Sequence, residues 1–119
     1  MREEIYWVVT CSVRPGKFQE FRGVVDPLVA ATEEEPGSIA YDYSVNAEQT
    51  LVRIFETYRD SAAVVDHVTG TFSKFAEGFN ACVSVDAFDV YGSPDAAAKE
   101  ILDGFGSDYF TPFEGFIHK

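Results

Sequence analysis

The 119-residue sequence predicts a single α+β domain on the ferredoxin-like βαββαβ plan. Three observations carry that expectation. Runs rich in β-branched and aromatic residues alternate in polarity with a period of two. The segments between them repeat their apolar residues at helical spacing. The length allows one core and leaves no room for a second domain.

Ile5 to Val13, IYWVVTCSV, is too short for an amphipathic helix and is dominated by strand formers. As the first strand it sets Ile5, Trp7, Val9, Cys11 and Val13 on one face and Tyr6, Val8, Thr10 and Ser12 on the other. Arg14-Pro15-Gly16 ends it. From Lys17 to about Glu35, residues Phe18, Phe21, Val25, Leu28, Val29 and Thr32 trace one helical stripe. Pro27 falls inside that stripe and is expected to kink the helix, or to split it with Asp26 as a new cap. Proline lacks the amide donor and clashes one turn back, a clash that Gly23 softens. The run Glu33-Glu34-Glu35 before Pro36-Gly37 reads as a solvated helix end.

Ser38 to Val45 alternates Ile39, Tyr41, Tyr43 and Val45 against Ser38, Ala40, Asp42 and Ser44, the second strand, with Asp42 facing solvent or a partner subunit. After a loop at Asn46 to Gln49, Thr50 to Tyr58 is the third strand, which puts Val52, Ile54, Glu56 and Tyr58 on one face. Asp60 or Ser61 caps a helix carrying Ala63, Val64, His67 and Val68 at helical spacing. Gly70 is expected to break it and Thr71 to restart it, with Phe72, Phe75, Ala76 and Phe79 as the next stripe. Ala81 to Tyr91 is the fourth strand, alternating Val83, Val85 and Ala87 against Ser84, Asp86 and Phe88. The expected strand order is 4-1-3-2, with both main helices on one face.

Residues 1–92 thus form the domain proper, and 93–119 a C-terminal extension of it. Ser93-Pro94 opens a further helix over 94–103. The tail beyond it places Phe105, Tyr109, Phe110, Phe113 and Phe116 among glycines. Such a segment cannot make its own core, so it is expected to pack across a partner or over a pocket mouth.

Composition narrows the function classes. A net charge of -11 with scattered basic residues argues against nucleic acid and anionic membrane surfaces as partners. No run is long enough to span a membrane, and the acidic start MREEIYW does not resemble a secretory signal, so the expected location is the cytoplasm. Cys11 and Cys82 sit in apolar runs without metal-ligand spacing and are expected to be reduced, buried thiols. An aromatic fraction of 15% exceeds what a small monomer easily hides, which points to a pocket, a partner subunit, or both.

The run RPG after the first strand, EEPGSIAYDY at the second, and F-E-x-Y-x-D-x-x-A-x-x-x-H followed by F-x-K-F resemble the antibiotic biosynthesis monooxygenase family over roughly residues 5–91. The resemblance implies a dimeric α/β barrel and cofactor-free oxygenation of quinols or anthrones, with Glu56 and His67 at frequently occurring positions. Tyr58 stands where many members have tryptophan. Haem-degrading relatives combine that tryptophan with an asparagine on the first strand. Here Val9 lies about where the asparagine is expected, which disfavours haem degradation.

The residues themselves offer no phosphate loop, nucleotide fingerprint, metal cluster or Ser-His-Asp set. No cofactor is expected: a phenol, hydroquinone or anthrone reduces oxygen itself once deprotonated, so the protein need supply a base, a dry pocket and orientation. His67 is the candidate base, or else a core residue hydrogen-bonded to Glu56 or backbone. Glu56 is expected to orient a partner or cap a helix more than to abstract a proton, because an exposed carboxylate titrates too low. Tyr58 either hydrogen-bonds a substrate oxygen or edges the core. Trp7, Val9, Tyr41, Tyr43, Phe72, Phe75 and Phe79 either line a pocket for an aromatic substrate or pack as ordinary core. The leading reading is a homodimeric monooxygenase of a small aromatic substrate with oxygen as co-substrate. The alternatives are a non-catalytic ligand-binding module and an isomerase of small carbonyl compounds.

Overall fold

The computed structural model describes residues 2–118. The chain runs β1 (Ile5–Val13), α1 (Phe18–Glu33), β2 (Ser38–Val45), β3 (Leu51–Tyr58), α2 (Ser61–Asp66), α3 (Ala76–Cys82), β4 (Val83–Tyr91), α4 (Ala96–Asp103) and β5 (Asp108–Phe110). A π turn, His67–Thr71, and a 3-10 turn, Phe72–Lys74, join α2 to α3. The strands form one sheet in the order β2-β3-β1-β4-β5, with every pair antiparallel except β4 with β5. This is the expected ferredoxin-like order with one strand added at the β4 edge. Among the described residues no helix is long and apolar enough to cross a membrane.

The core lies between the helices and one sheet face. The odd-numbered residues of β1 from Ile5 to Cys11 and the even-numbered residues of β3 from Val52 to Tyr58 are buried together. Helix α1 lays Phe21, Leu28 and Thr32 onto that layer and runs unbroken through Pro27. The balance of magnitudes explains why the expected split does not occur. An interior proline costs about 3 kcal/mol, whereas burying Phe21 and Leu28 returns roughly 1.5–3 kcal/mol each.

The segment after His67 also stays helical, through Gly70, where a break was expected. In a regular helix residues five apart are turned by about 140°. The wide turn, closed by the Phe72 amide donating to the His67 carbonyl, brings residues 67 and 72 onto the same side. His67 and Phe72 thereby face the sheet together. Phe79 continues the stripe, packed on Phe72 and edge-on to Phe21 with centroids 5.2 Å apart in each pair. The helix then extends to Cys82, so β4 begins two residues later than its alternation suggested.

Bulges account for two further departures. Between Ser38 and Ala40 the β2–β3 register shifts, and Ile39, expected inward, is 58% exposed. A second shift opposite Thr10/Cys11 leaves Asp86 out of the β1–β4 pairing. The buried side of β4 therefore changes from Val83 to Phe88 and Val90, and Phe88 joins the core instead of facing away.

Glycine is required where β2 begins. A Cβ at Gly37 would overlap the Ala63 side chain, so this close approach seats α2, and with it His67, against the start of β2. Asp60 caps α2 by accepting from the Ala63 amide at 2.9 Å. In the extension, Asp95, not Ser93, caps α4, and Ala98 and Leu102 are buried in the core.

Candidate functional site

Strand register assembles one wall of the site. Glu56 pairs with Tyr41 on β2 and with Trp7 on β1, and Ile54 pairs with Tyr43 and Val9. Two adjacent rows of the sheet therefore present Tyr41, Glu56 and Trp7, then Tyr43, Ile54 and Val9, all toward the helices. His67, Phe72 and Phe79 lie over them, and the partly open cavity between has a volume of about 110 Å³. Val68, Asn80 on α3, Val85 and Phe88 on β4, and Phe105 beyond α4 complete the lining.

His67 is only 2% exposed and is held from two sides. Its Nδ1 lies 2.9 Å from Glu35 Oε2, and its Nε2 lies 3.7 Å from Glu56 Oε1. A carboxylate only accepts, so an ionised Glu35 fixes the proton on Nδ1 and turns Nε2 toward Glu56 and the cavity. Tyr41 stands edge-on to the imidazole at 5.2 Å, and Tyr58 flanks it at 5.1 Å.

Glu56 is buried, which removes the premise that it would titrate as an exposed carboxylate. Desolvation is the largest influence and pushes its pKa up. The neighbouring His67, the Tyr58 hydroxyl, which donates to Oε1 at 2.7 Å, and the Trp7 indole all act the other way. Glu56 thus holds a proton more readily than an ordinary glutamate and can both donate and accept one. Burial, reinforced by the Glu56 charge, pushes the hydroxyls of Tyr41, Tyr43 and Tyr58 well above the usual tyrosine range, so they remain neutral hydrogen-bonding groups. Those of Tyr41 and Tyr43 lie 2.9 Å apart.

Eight of the ten residues singled out in the sequence surround this cavity: Trp7, Val9, Tyr41, Tyr43, Glu56, His67, Phe72 and Phe79. Tyr58 does not line it. Its side chain is fully buried behind Glu56 and spends its hydroxyl there, so a direct hydrogen bond to a substrate oxygen is not available. Phe75 also stands apart, because the 3-10 turn ends at it and its ring packs against the core away from the cavity. Glu35 is the principal residue the sequence reading missed. It was assigned to a solvated acidic run, yet Pro36 disfavours helical backbone at the preceding residue and the chain turns there, returning the carboxylate to His67.

The thiols take no part in this chemistry. Both cysteines are free and buried; burial first, then the charges of Asp86 and Glu56, pushes Cys11 up to about 12. Burial and a contact to Glu20 raise Cys82 as well. Among the described residues no group of three or more His, Cys, Asp or Glu side chains is disposed to hold a metal ion.

The helix-facing side of this ferredoxin-like sheet thus carries a buried histidine between two carboxyl groups, beside an aromatic cavity. Residues 5–78 match the model of the antibiotic biosynthesis monooxygenase family, and the chain belongs to that family. Solved structures show the same fold. MupZ from Pseudomonas fluorescens superposes with a TM-score of 0.81 at 19% identity, over 99% of this chain and 91% of its own. SnoaB, a cofactor-independent oxygenase from Streptomyces nogalater, gives 0.67 at 16% identity, over 79% of this chain and 96% of its own. Rv0793 from Mycobacterium tuberculosis gives 0.68 at 21%, over 80% of this chain and 99% of its own. Comparison with curated protein sequences gave no match.

Proposed function

We propose that the protein is a cofactor-independent monooxygenase of a small phenolic or quinol-type substrate, with His67 as the base. The observation that carries this reading is the placement of His67 between Glu35 and Glu56 in an aromatic cavity. A hydroquinone seated there loses its hydroxyl proton to His67 Nε2, and Glu35 and Glu56 stabilise the resulting imidazolium. The quinol anion supplies the electrons: a ring carbon binds O₂ as a hydroperoxide, which eliminates water to leave a hydroxyquinone. One oxygen atom enters the product and the other leaves in water, with the abstracted proton returned through His67 or Glu56.

Oxygen uptake with hydroquinones, in the absence of flavin and added metal, is the expected result, with water and hydroxyquinone formed in equal amounts. Product formation at the same rate under argon would overturn the assignment. A second reading, an isomerase of small carbonyl compounds, is favoured by one observation: Glu56 and His67 give an acid and a base on one cavity wall, as enolisation requires. Turnover of an enolisable ketone without oxygen consumption distinguishes it.

The protein is also proposed to act as a homodimer, paired through the sheet face that no helix covers. There Phe55 is 43% exposed, and Tyr6, Tyr91 and Phe110 stack across neighbouring strands. Sedimentation should give twice the chain mass at micromolar concentration, and a monomer would exclude this assembly.

A further inference from the structure

We infer that Phe105 sets the size of the substrate, restricting the cavity to single-ring oxygenated aromatics of the hydroquinone class and excluding fused-ring compounds. The inference rests on the reading of this cavity as the substrate site and goes further by assigning its limits. The ionisable groups of the lining lie together. Glu56 and His67 meet there, together with the Trp7 indole N–H, which is sealed from water and faces the Glu56 carboxyl without closing a full hydrogen bond to it. A buried donor so weakly paired gains from a better acceptor, and a substrate oxygen at this end would supply one while placing its hydroxyl beside His67.

Phe105 stands one ring away from that end. Phe88 lies between it and Trp7, with centroids 5.4 Å from Trp7 and 5.2 Å from Phe105. Phe72 lies between it and His67, at 6.3 Å and 6.5 Å. Phe105 is stacked on Phe88, with ring planes 13° apart, and closes the cavity from a turn at the end of α4. The Phe105 amide donates to the Leu102 carbonyl, Ser107 Oγ donates to that same carbonyl, and β5 pairs the following residues to β4. The turn is therefore anchored on both sides. Phe105 is 38% exposed, so it stands at the rim between the cavity and solvent.

Size decides the rest. A closed cavity of roughly 150 Å³ lined by apolar side chains accommodates benzene, and this pocket, about 110 Å³ and partly open to solvent at its rim, has room for one ring with its substituents at the mouth and not for two fused rings. A second fused ring projecting from the Trp7 end would enter the space of Phe105. The family match ends at residue 78, so this wall is contributed by a part of the chain outside the matched region.

Trp7 is the single tryptophan and lines the cavity, so its fluorescence reports occupancy without turnover. Anaerobic titrations of the native protein, Phe105→Leu and Phe105→Ala with hydroquinone, 1-naphthol and anthrone test the inference. Native protein should bind hydroquinone most tightly. Phe105→Ala should gain at least about tenfold in affinity for 1-naphthol and anthrone and lose some for hydroquinone, with Phe105→Leu between. The same order of affinities in all three proteins, with hydroquinone tightest, would overturn the size limit and leave the site assignment standing. Absence of quenching by every probe in every protein would overturn both.

Discussion

Replacing His67 by alanine is expected to lower kcat by about 10²–10⁴-fold, the usual contribution of one positioned general base, while leaving the Kd for hydroquinone within a few fold. Contact with the substrate hydroxyl is only one part of the binding, and the aromatic walls remain. Glu35→Leu supplies the companion result. It removes the acceptor at Nδ1, 2.9 Å away, without touching the cavity. The tautomer is then unfixed and the imidazolium loses a stabilising charge. Turnover should fall less than in His67→Ala, and the pH dependence of kcat should shift, which a merely structural role for Glu35 would not produce. Glu35→Gln, whose amide oxygen can still accept from Nδ1–H, should recover part of the loss. Steady-state oxygen uptake across a pH series, beside Trp7 fluorescence titrations, checks each of these. Unchanged kcat in His67→Ala would sink the base assignment.

The contrast between Glu56 and Glu35 shows how much of this site was legible in the sequence. Glu56 lies on a strand whose period-two alternation carries it to the core face beside Val52 and Ile54, so local pattern alone assigns it inward. Trp7, Tyr41 and Tyr43 follow by the same rule, and the helical stripe delivers His67, Phe72 and Phe79. Glu35 has no periodicity to follow. It sits in a turn as the last of three consecutive acidic residues, a pattern that ordinarily marks solvent, and only the docking of α2 against Gly37 brings His67 within reach. Phe105 was expected in a tail that packs over something, but its particular partners, Phe88 and Phe72, depend on the bulge that turns Phe88 inward. Short β5 was likewise not legible: three residues, Asp-Tyr-Phe, carry too little alternation to announce a strand and are ordered by an available sheet edge. Local propensity therefore reached the strands and the central histidine, while residues placed by turns and bulges needed the tertiary structure.

Glu56→Gln is expected to separate the two contributions of that carboxyl, to chemistry and to stability. Turnover should fall by about 10²–10⁴-fold if Glu56 exchanges protons with His67. The stability effect has the opposite sense at high pH. Burial raises the folded-state pKa of Glu56 above its ordinary value of 4.5, so between that value and the raised one the folded chain holds a proton that the unfolded chain has lost. Unfolding then releases protons in the native comparison, and stability declines as pH rises through this window, having been fully present below it. The groups that face Glu56 are Glu35, which reinforces the shift, and His67, Tyr58 and Trp7, which reduce it. Glutamine keeps an acceptor for the Tyr58 hydroxyl and cannot ionise, so its melting temperature should lack this component of the decline. Thermal unfolding of both proteins from pH 4 to pH 9 should give curves that converge at the acidic end and diverge above it, the variant melting higher. Parallel curves would mean that the desolvation of Glu56 is fully offset by its neighbours, and its place as a proton store would then fall with the stability argument.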